Sequence, residues 1–384
     1  MCQHEEVLII GGGVIGLSIA YFLAKEGVKV GIIDKGELGR EASWAGAGML
    51  PAGNPLRAKS PMGQLRARGT YLFASFSEEL LERTGLENGF HRSGGLELRL
   101  SEDSLERRRL EQVMREEQGE GSSYEVLDSA ALRKLEPALS PALPGAIYYP
   151  EAAQIRNPRH LQALMAACAS LRVKFFPGQP ITAMAREGER ITKVRSAQQD
   201  FEAEQYVVTA GAWSDTILGL TGNSAQVRPI RGQIVLLNSG GRAGSPLFRK
   251  LLLAGSQYMV PRPDGRILIG STEEDSGFLK ANTPSGVQNL LQFGVRVVPA
   301  LAEVPIERMW SGLRPASPDG KPTLGRVPGT DNLFAATGHF RAGLQLSVIT
   351  GILMKELLLG QPPSMNLEPF RVDRRYDQRL TANH

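Results

Sequence analysis

Glu5-Glu6-Val7-Leu8-Ile9-Ile10-Gly11-Gly12-Gly13-Val14-Ile15-Gly16 is the stretch whose reading decides the fold. Its first half is a short, β-branched apolar run stopped by glycine, which reads as a buried strand. Val14–Gly27 then has the length and composition of a helix that ends on glycine. Between them the glycines satisfy G-x-G-x-x-G, a weak pattern alone but a specific one in a strand–turn–helix setting. Gly11 permits the tight turn, Gly13 lets backbone approach a pyrophosphate at the helix N-terminus, and Gly16 lets the helix pack on the strand. Lys29–Asp34 reads as the next buried strand, and Asp34 at its end would accept ribose hydroxyls. That carboxylate argues against a 2′-phosphate and so against NADP.

The fingerprint alone does not separate NAD from FAD. The loop that follows, Gly39-Arg40-Glu41-Ala42-Ser43-Trp44-Ala45-Gly46-Ala47-Gly48-Met49-Leu50, favours FAD. Its small residues would let backbone run against a flat ring and a diphosphate-ribityl chain, and a nicotinamide enzyme has no evident need of that.

Working outward, helical patterns are expected at Pro61–Thr84 and Ser101–Gln118, with a strand at Gly95–Leu100. Asn157-Pro158 opens a helix that runs to Ser170, with Asn157 as its cap. Strands follow near Val173–Phe176, Ile181–Arg186 and Gln205–Thr209, then a helix over Gly211–Leu220. Val227–Ser271 alternates strands and turns, Pro284–Ala300 is helical, Ile306–Trp310 is a strand, and Leu344–Gly360 is a closing helix. The fold class is therefore α/β: a Rossmann-like FAD-binding domain interleaved with an α+β substrate domain on a mostly antiparallel sheet. Residues 1–85, 150–222 and 311–384 are assigned to the first, and 86–149 and 223–310 to the second.

Composition removes several function classes. The 384 residues are 42% hydrophobic and 22% charged, with a formal net charge of only +4. The dense basic run Arg107-Arg108-Arg109 alternates with Glu106, Glu111, Glu116 and Glu117 and reads as a solvated helix face, so no nucleic-acid partner is expected. Cys2 and Cys168 offer neither a disulfide framework nor metal spacing, and the five histidines are scattered, so no metal site is expected. Cys168 falls on an apolar helical stripe and reads as an inert core thiol. The setting is read as reducing and cytoplasmic. The apolar run Val7–Ala24 is broken by three glycines and preceded by two glutamates, so no integral membrane segment is expected.

Six blocks carry a resemblance: Val7–Asp34, Ala42–Leu50, Val207–Ser214, Tyr258–Arg262, Trp310–Pro315 and Gly338–Gly343. In this order they resemble the D-amino-acid oxidase superfamily of FAD-dependent oxidoreductases, and within it the glycine oxidase branch of thiamine biosynthesis. The resemblance implies oxidative deamination of glycine or another small primary or secondary amine. The products would be a keto acid, ammonia and, with molecular oxygen as acceptor, hydrogen peroxide. It further implies that Val14, Ile15, Asp34 and Lys35 hold adenosine and diphosphate. Ala42, Ser43, Ala47, Gly48 and Met49 would run along the ribityl chain and ring, Ile181 would meet the adenine, and Ala210-Gly211 would close over the cofactor. Backbone of His339, Phe340, Arg341, Ala342, Gly343, Leu344 and Gln345 would face the ring, where the helix dipole favours negative charge. Arg314 would bind the substrate carboxylate bidentately, Tyr258 would add a hydroxyl, and Arg341 would be a second cation.

The chain departs from the family pattern at Ala342, where an asparagine is usual, in the more polar Leu344-Gln345-Leu346-Ser347, and at Ser256-Gln257 before Tyr258. Neither cysteine lies in a flavin-contacting block, so noncovalent FAD is expected. The alternative activity is a flavin-dependent D-amino-acid or hydroxy-acid dehydrogenase that passes electrons to a non-oxygen acceptor. A noncatalytic FAD-binding module is a third reading, disfavoured by the set Tyr258, Arg314 and Arg341. The partners implied are a small amino-acid substrate and molecular oxygen, and homo-oligomerisation stays open.

Overall fold

The apolar run of the fingerprint forms the strand Gln3–Ile10, and its pairing explains why it is apolar on both faces. It lies between Val30–Ile33 and Asp200–Val208, parallel to both. Lys174–Phe176 continues the parallel array on one side and Leu333–Thr337 on the other. Val7 and Ile9 face one apolar cluster, while Leu8 and Ile10 face another. That is the period-2 alternation of a strand buried on both sides. The computed structural model from which these pairings come describes residues 3–240 and 246–374; Cys2 lies outside them.

Four helices, Val14–Lys25, Pro61–Thr84, Asn157–Ser170 and Gly343–Leu358, share the first cluster through Leu17, Ile19, Phe73, Leu164, Leu346 and Leu353. Full burial of each such side chain is worth roughly 1.5–3 kcal/mol. The Pro61–Thr84 helix keeps its expected range and is capped at both ends. Ser60 Oγ accepts from Gly63 N at 2.9 Å, Pro61 opens the first turn, and Gly85 closes it at φ 70°. Cys168 is buried in the same cluster, as its place on the apolar stripe implied.

The second sheet has eight strands, in the order Ile306–Ala316, Arg228–Asn238, Arg266–Gly270, Gln257–Pro261, Leu251–Ala254, Gly95–Arg99, Gly145–Tyr149 and Glu125–Asp128. All its pairs are antiparallel except Leu251–Ala254 with Gly95–Arg99. Val235, Leu237, Ile267 and Ile269 pack with Leu290 and Phe293 of the helix Pro284–Val297. The alternate residues Ile234, Leu268, Tyr258 and Val260 turn to the other face, in one cluster with Ala47 and Ala52. This sheet therefore forms one wall of the space between the two layers.

Three readings are corrected. The stretch Gly39–Leu50 is not one loop, since it holds a short helix, Ala42–Ala45, and a strand, Met49–Leu50. Gly211–Leu220 is a 3-10 turn followed by the helix Ser214–Gly219. The boundary drawn at residues 310 and 311 falls inside the strand Ile306–Ala316, because Gly312, Leu313 and Arg314 stay paired with Gly232, Arg231 and Ile230. No helix among the described residues is long and apolar enough to cross a membrane.

Candidate active site

A cavity of about 330 Å³ lies where the fingerprint turn meets the inner face of the second sheet. At one end the glycines leave no room for side chains. A Cβ on Gly11 would stand 2.4 Å from Thr209 O, and one on Gly16 would stand 2.1 Å from Gly11 O. Gly13 and Gly11 line the cavity, whereas Gly16 is turned to the strand and does not. Asp34 Oδ2 accepts from Gly12 N at 2.8 Å and Oδ1 from Gly36 N at 2.9 Å. Each oxygen keeps a further lone pair for a ligand hydroxyl. Burial raises the Asp34 carboxyl above its ordinary value, opposed by those two N–H groups. The helix start is less open than its sequence suggests, because Val14 N–H donates to Ser43 Oγ at 2.9 Å.

The Ala42–Met49 segment lines the cavity floor and is pinned from three distant places. Arg262 is buried and donates to Ala47 O at 2.7 Å and to Ile155 O at 3.1 Å. Trp310 Nε1 donates to Ala45 O at 3.0 Å. Asn157 Nδ2 donates to Ser43 O at 2.7 Å. Asn157 is thus not the helix cap its sequence position proposed; Arg156 precedes the first turn, with no side-chain capping bond. Asn157 Oδ1 is buried without a protein partner on the cavity wall. Gly48, at φ 75°, would drive a Cβ to 1.9 Å from Ile155 O, so this close approach requires glycine.

At the other end stand Arg314 and Tyr258. Both rest over glycines: a Cβ on Gly232 would be 2.3 Å from Arg314 Nη1, and one on Gly270 would be 2.5 Å from the Tyr258 hydroxyl. The half-buried Arg314 donates to Ser271 Oγ at 2.5 Å and Thr272 O at 3.1 Å, both neutral acceptors. Among the described residues no carboxylate pairs with it. Arg341 also lines the cavity, but it is ion-paired with Glu273.

His339 is buried and its Nε2 is 3.1 Å from Thr350 Oγ1. Burial pushes its pKa down to about 3, and that of His160, enclosed by Phe73 and Phe76, down to about 4. Between pH 6.5 and these values the unfolded chain binds protons that the folded chain refuses, so stability falls as the pH falls. At pH 5 each histidine is expected to lower the unfolding free energy by roughly 2 kcal/mol relative to pH 7.5. Urea unfolding at the two pH values, with His160→Phe as the comparison, checks this.

Of the residues expected in the site, the cavity gathers Gly11, Gly13, Val14, Ile15, Asp34, Lys35, Ala42, Ser43, Ala47, Gly48, Met49, Ile181, Ala210 and Gly211. It also gathers Tyr258, Arg314, His339, Phe340, Arg341, Gly343 and Leu344. Ala342 and Gln345 are not brought to it, for packing reasons. Ala342 packs on the helical cluster, and Gln345 Nε2 donates to Thr70 Oγ1 at 2.9 Å on the helix Pro61–Thr84. Sequence reasoning missed Asn157, Ser271, Gly232 and Trp213, all on the cavity wall. Only Trp213 gave a signal, as part of the block after Val207.

The glycine cradle, the carboxylate beside it and the tightly pinned small-residue floor fit a dinucleotide with a flat ring. The family described as FAD dependent oxidoreductase matches residues 6–357. The chain belongs to that family. Glycine oxidase from Pseudomonas putida is 33% identical to this flavoenzyme over 96% of the chain and 98% of its own length. The structure of glycine oxidase from Geobacillus kaustophilus superposes with a TM-score of 0.90 at 32% identity, covering 98% of this chain and all of that one. Iminodiacetate oxidase from a Chelativorans species gives a TM-score of 0.84 at 31% identity, covering 95% of this chain and 98% of that one. This flavoenzyme is accordingly an FAD-dependent amino-acid oxidase. Cys168 is not on the cavity wall, consistent with a noncovalent cofactor.

Proposed function

We propose that the flavoenzyme oxidises glycine, or another small primary or secondary amine, to an imine that water hydrolyses to the keto acid and ammonia (a primary amine where the substrate is secondary), with molecular oxygen reduced to hydrogen peroxide. The observation that carries this is Arg314, a half-buried guanidinium on the cavity wall with only neutral partners, Ser271, Thr272 and Tyr258, and no counter-ion among the described residues. A partly buried, uncompensated charge of this kind suits a ligand carboxylate. Glycine has no side chain, so its carboxylate is the strongest handle it offers. The names of the relatives support the same substrate.

In this reading Arg314 fixes the distance and plane of the carboxylate, and Tyr258, at the same end of the cavity, adds its hydroxyl. FAD, when bound, supplies the two-electron acceptor for the Cα–H and amine. Gly11, Gly13 and Asp34 would hold its dinucleotide half, and the Ala42–Met49 floor its ring half. The carboxylates lining the cavity, Asp34 and Glu41, belong to the dinucleotide end, and His339 is held neutral with its Nε2 engaged. At the substrate end the one neighbouring carboxylate, Glu273, is engaged by Arg341, so no free general base stands there among the described residues and the amine enters deprotonated.

Anaerobic addition of glycine to the purified yellow protein tests this. Bleaching of the visible flavin absorption, with peroxide formed on admitting air, is expected. Bleaching only with larger D-amino acids, or reoxidation by a quinone but not by oxygen, would assign the alternative dehydrogenase or D-amino-acid reading.

A further inference from the structure

The run Ser271-Thr272-Glu273-Glu274-Asp275 leaves the strand Arg266–Gly270 and meets four arginines in order. Ser271 Oγ and Thr272 O accept from Arg314. Glu273 pairs with Arg341, Glu274 with Arg231, and Asp275 with Arg228. The first two arginines both line the cavity, and they are treated differently. Arg314 receives neutral acceptors and keeps its charge, whereas Arg341 receives a carboxylate and is compensated. This end of the cavity therefore holds two guanidiniums but presents the attraction of one.

We infer that Glu273 is a specificity-determining residue: by compensating Arg341 it tunes the site to amines bearing one carboxylate and against those bearing two. This rests on the reading of Arg314 as the carboxylate site. A small amine with one carboxylate is matched by Arg314 alone. A second carboxylate on so small a molecule would have to reach Arg341, where it meets Glu273 already in place. Either it displaces Glu273, or two like charges share one guanidinium; both oppose binding. Both partners of the pair are about two-fifths exposed, at 40% and 38%, so little stability rests on it and its removal changes chiefly charge.

The test uses the yellow holoenzyme and two unreactive anions, acetate and malonate, titrated while the visible absorption of bound FAD is followed. In Glu273→Gln, which keeps size and loses charge, the ratio of malonate to acetate affinity is expected to rise at least tenfold. Glu273→Ser should move it in the same direction, and Arg341→Met added to Glu273→Gln should return it to within threefold of the starting value. A ratio that moves less than threefold in both single variants overturns the inference. Failure of acetate and malonate alike to bind any of these proteins overturns it together with the Arg314 reading. Glycine oxidation is assayed in parallel: a shifted ratio in a protein that does not oxidise glycine removes the proposed activity and leaves the role of Glu273 standing.

Discussion

Arg314→Ala is expected to lower kcat/KM for glycine by about three orders of magnitude, roughly 4 kcal/mol, while the protein stays yellow. The figure follows from what the side chain does. Removing a partly desolvated guanidinium that faces one carboxylate removes both charge-assisted hydrogen bonds at once, and the carboxylate keeps only the neutral Tyr258 hydroxyl. No second cation at this end compensates, because Arg341 is committed to Glu273. Arg314→Lys should recover only part of the loss, since an ammonium matches the charge but not the two parallel donors. Steady-state kinetics on glycine and the visible spectrum check both variants. A kcat/KM reduced less than tenfold in Arg314→Ala would place the carboxylate elsewhere. The packing agrees with a specific role, for Gly232 leaves its Cβ position to the Arg314 guanidinium, and nothing about strand pairing would require that.

Gly16→Ala is expected to yield colourless or unfolded protein. The added methyl would lie 2.1 Å from Gly11 O and 2.7 Å from Thr209 Oγ1, so backbone has to move. Moving it separates the helix Val14–Lys25 from the strand Gln3–Ile10 and opens the turn that shapes the cavity. We expect at least a hundredfold weaker FAD binding, measured by fluorescence titration of the apoprotein, or a loss of several kcal/mol of stability, in line with overpacking against backbone. Gly219→Ala is the control, because its methyl meets nothing within 4 Å and should leave colour and melting temperature close to those of the parent.

Much of this molecule is written locally. The glycine turn, the apolar strand Val7–Ile10 and the helix over Pro61–Thr84 depend on backbone geometry and near neighbours, and each appears where its sequence announced it. Asn157 shows where local reading fails. Its place before Pro158 suits a cap, yet its amide serves Ser43 across the cavity floor, a partner more than a hundred residues away. The same holds for Ala342 and Gln345. They sit in a segment that reaches the cavity, but helical rotation turns them toward other helices.

The sequence by itself determined the class of fold and the cofactor cradle, because spacing and residue type encode strand period, helix period and the conformations glycine adopts freely, while Arg314 and Tyr258 became candidates through the family resemblance of their blocks. Tertiary structure alone decided which charges are compensated. Whether Arg314 or Arg341 faces the cavity with a free charge depends on where Ser271, Thr272 and Glu273 fall along one strand exit, and thus on the register of a sheet whose strands are joined across long separations. Coulombic pairing acts through space, and a linear pattern of residues does not specify the distances over which it acts.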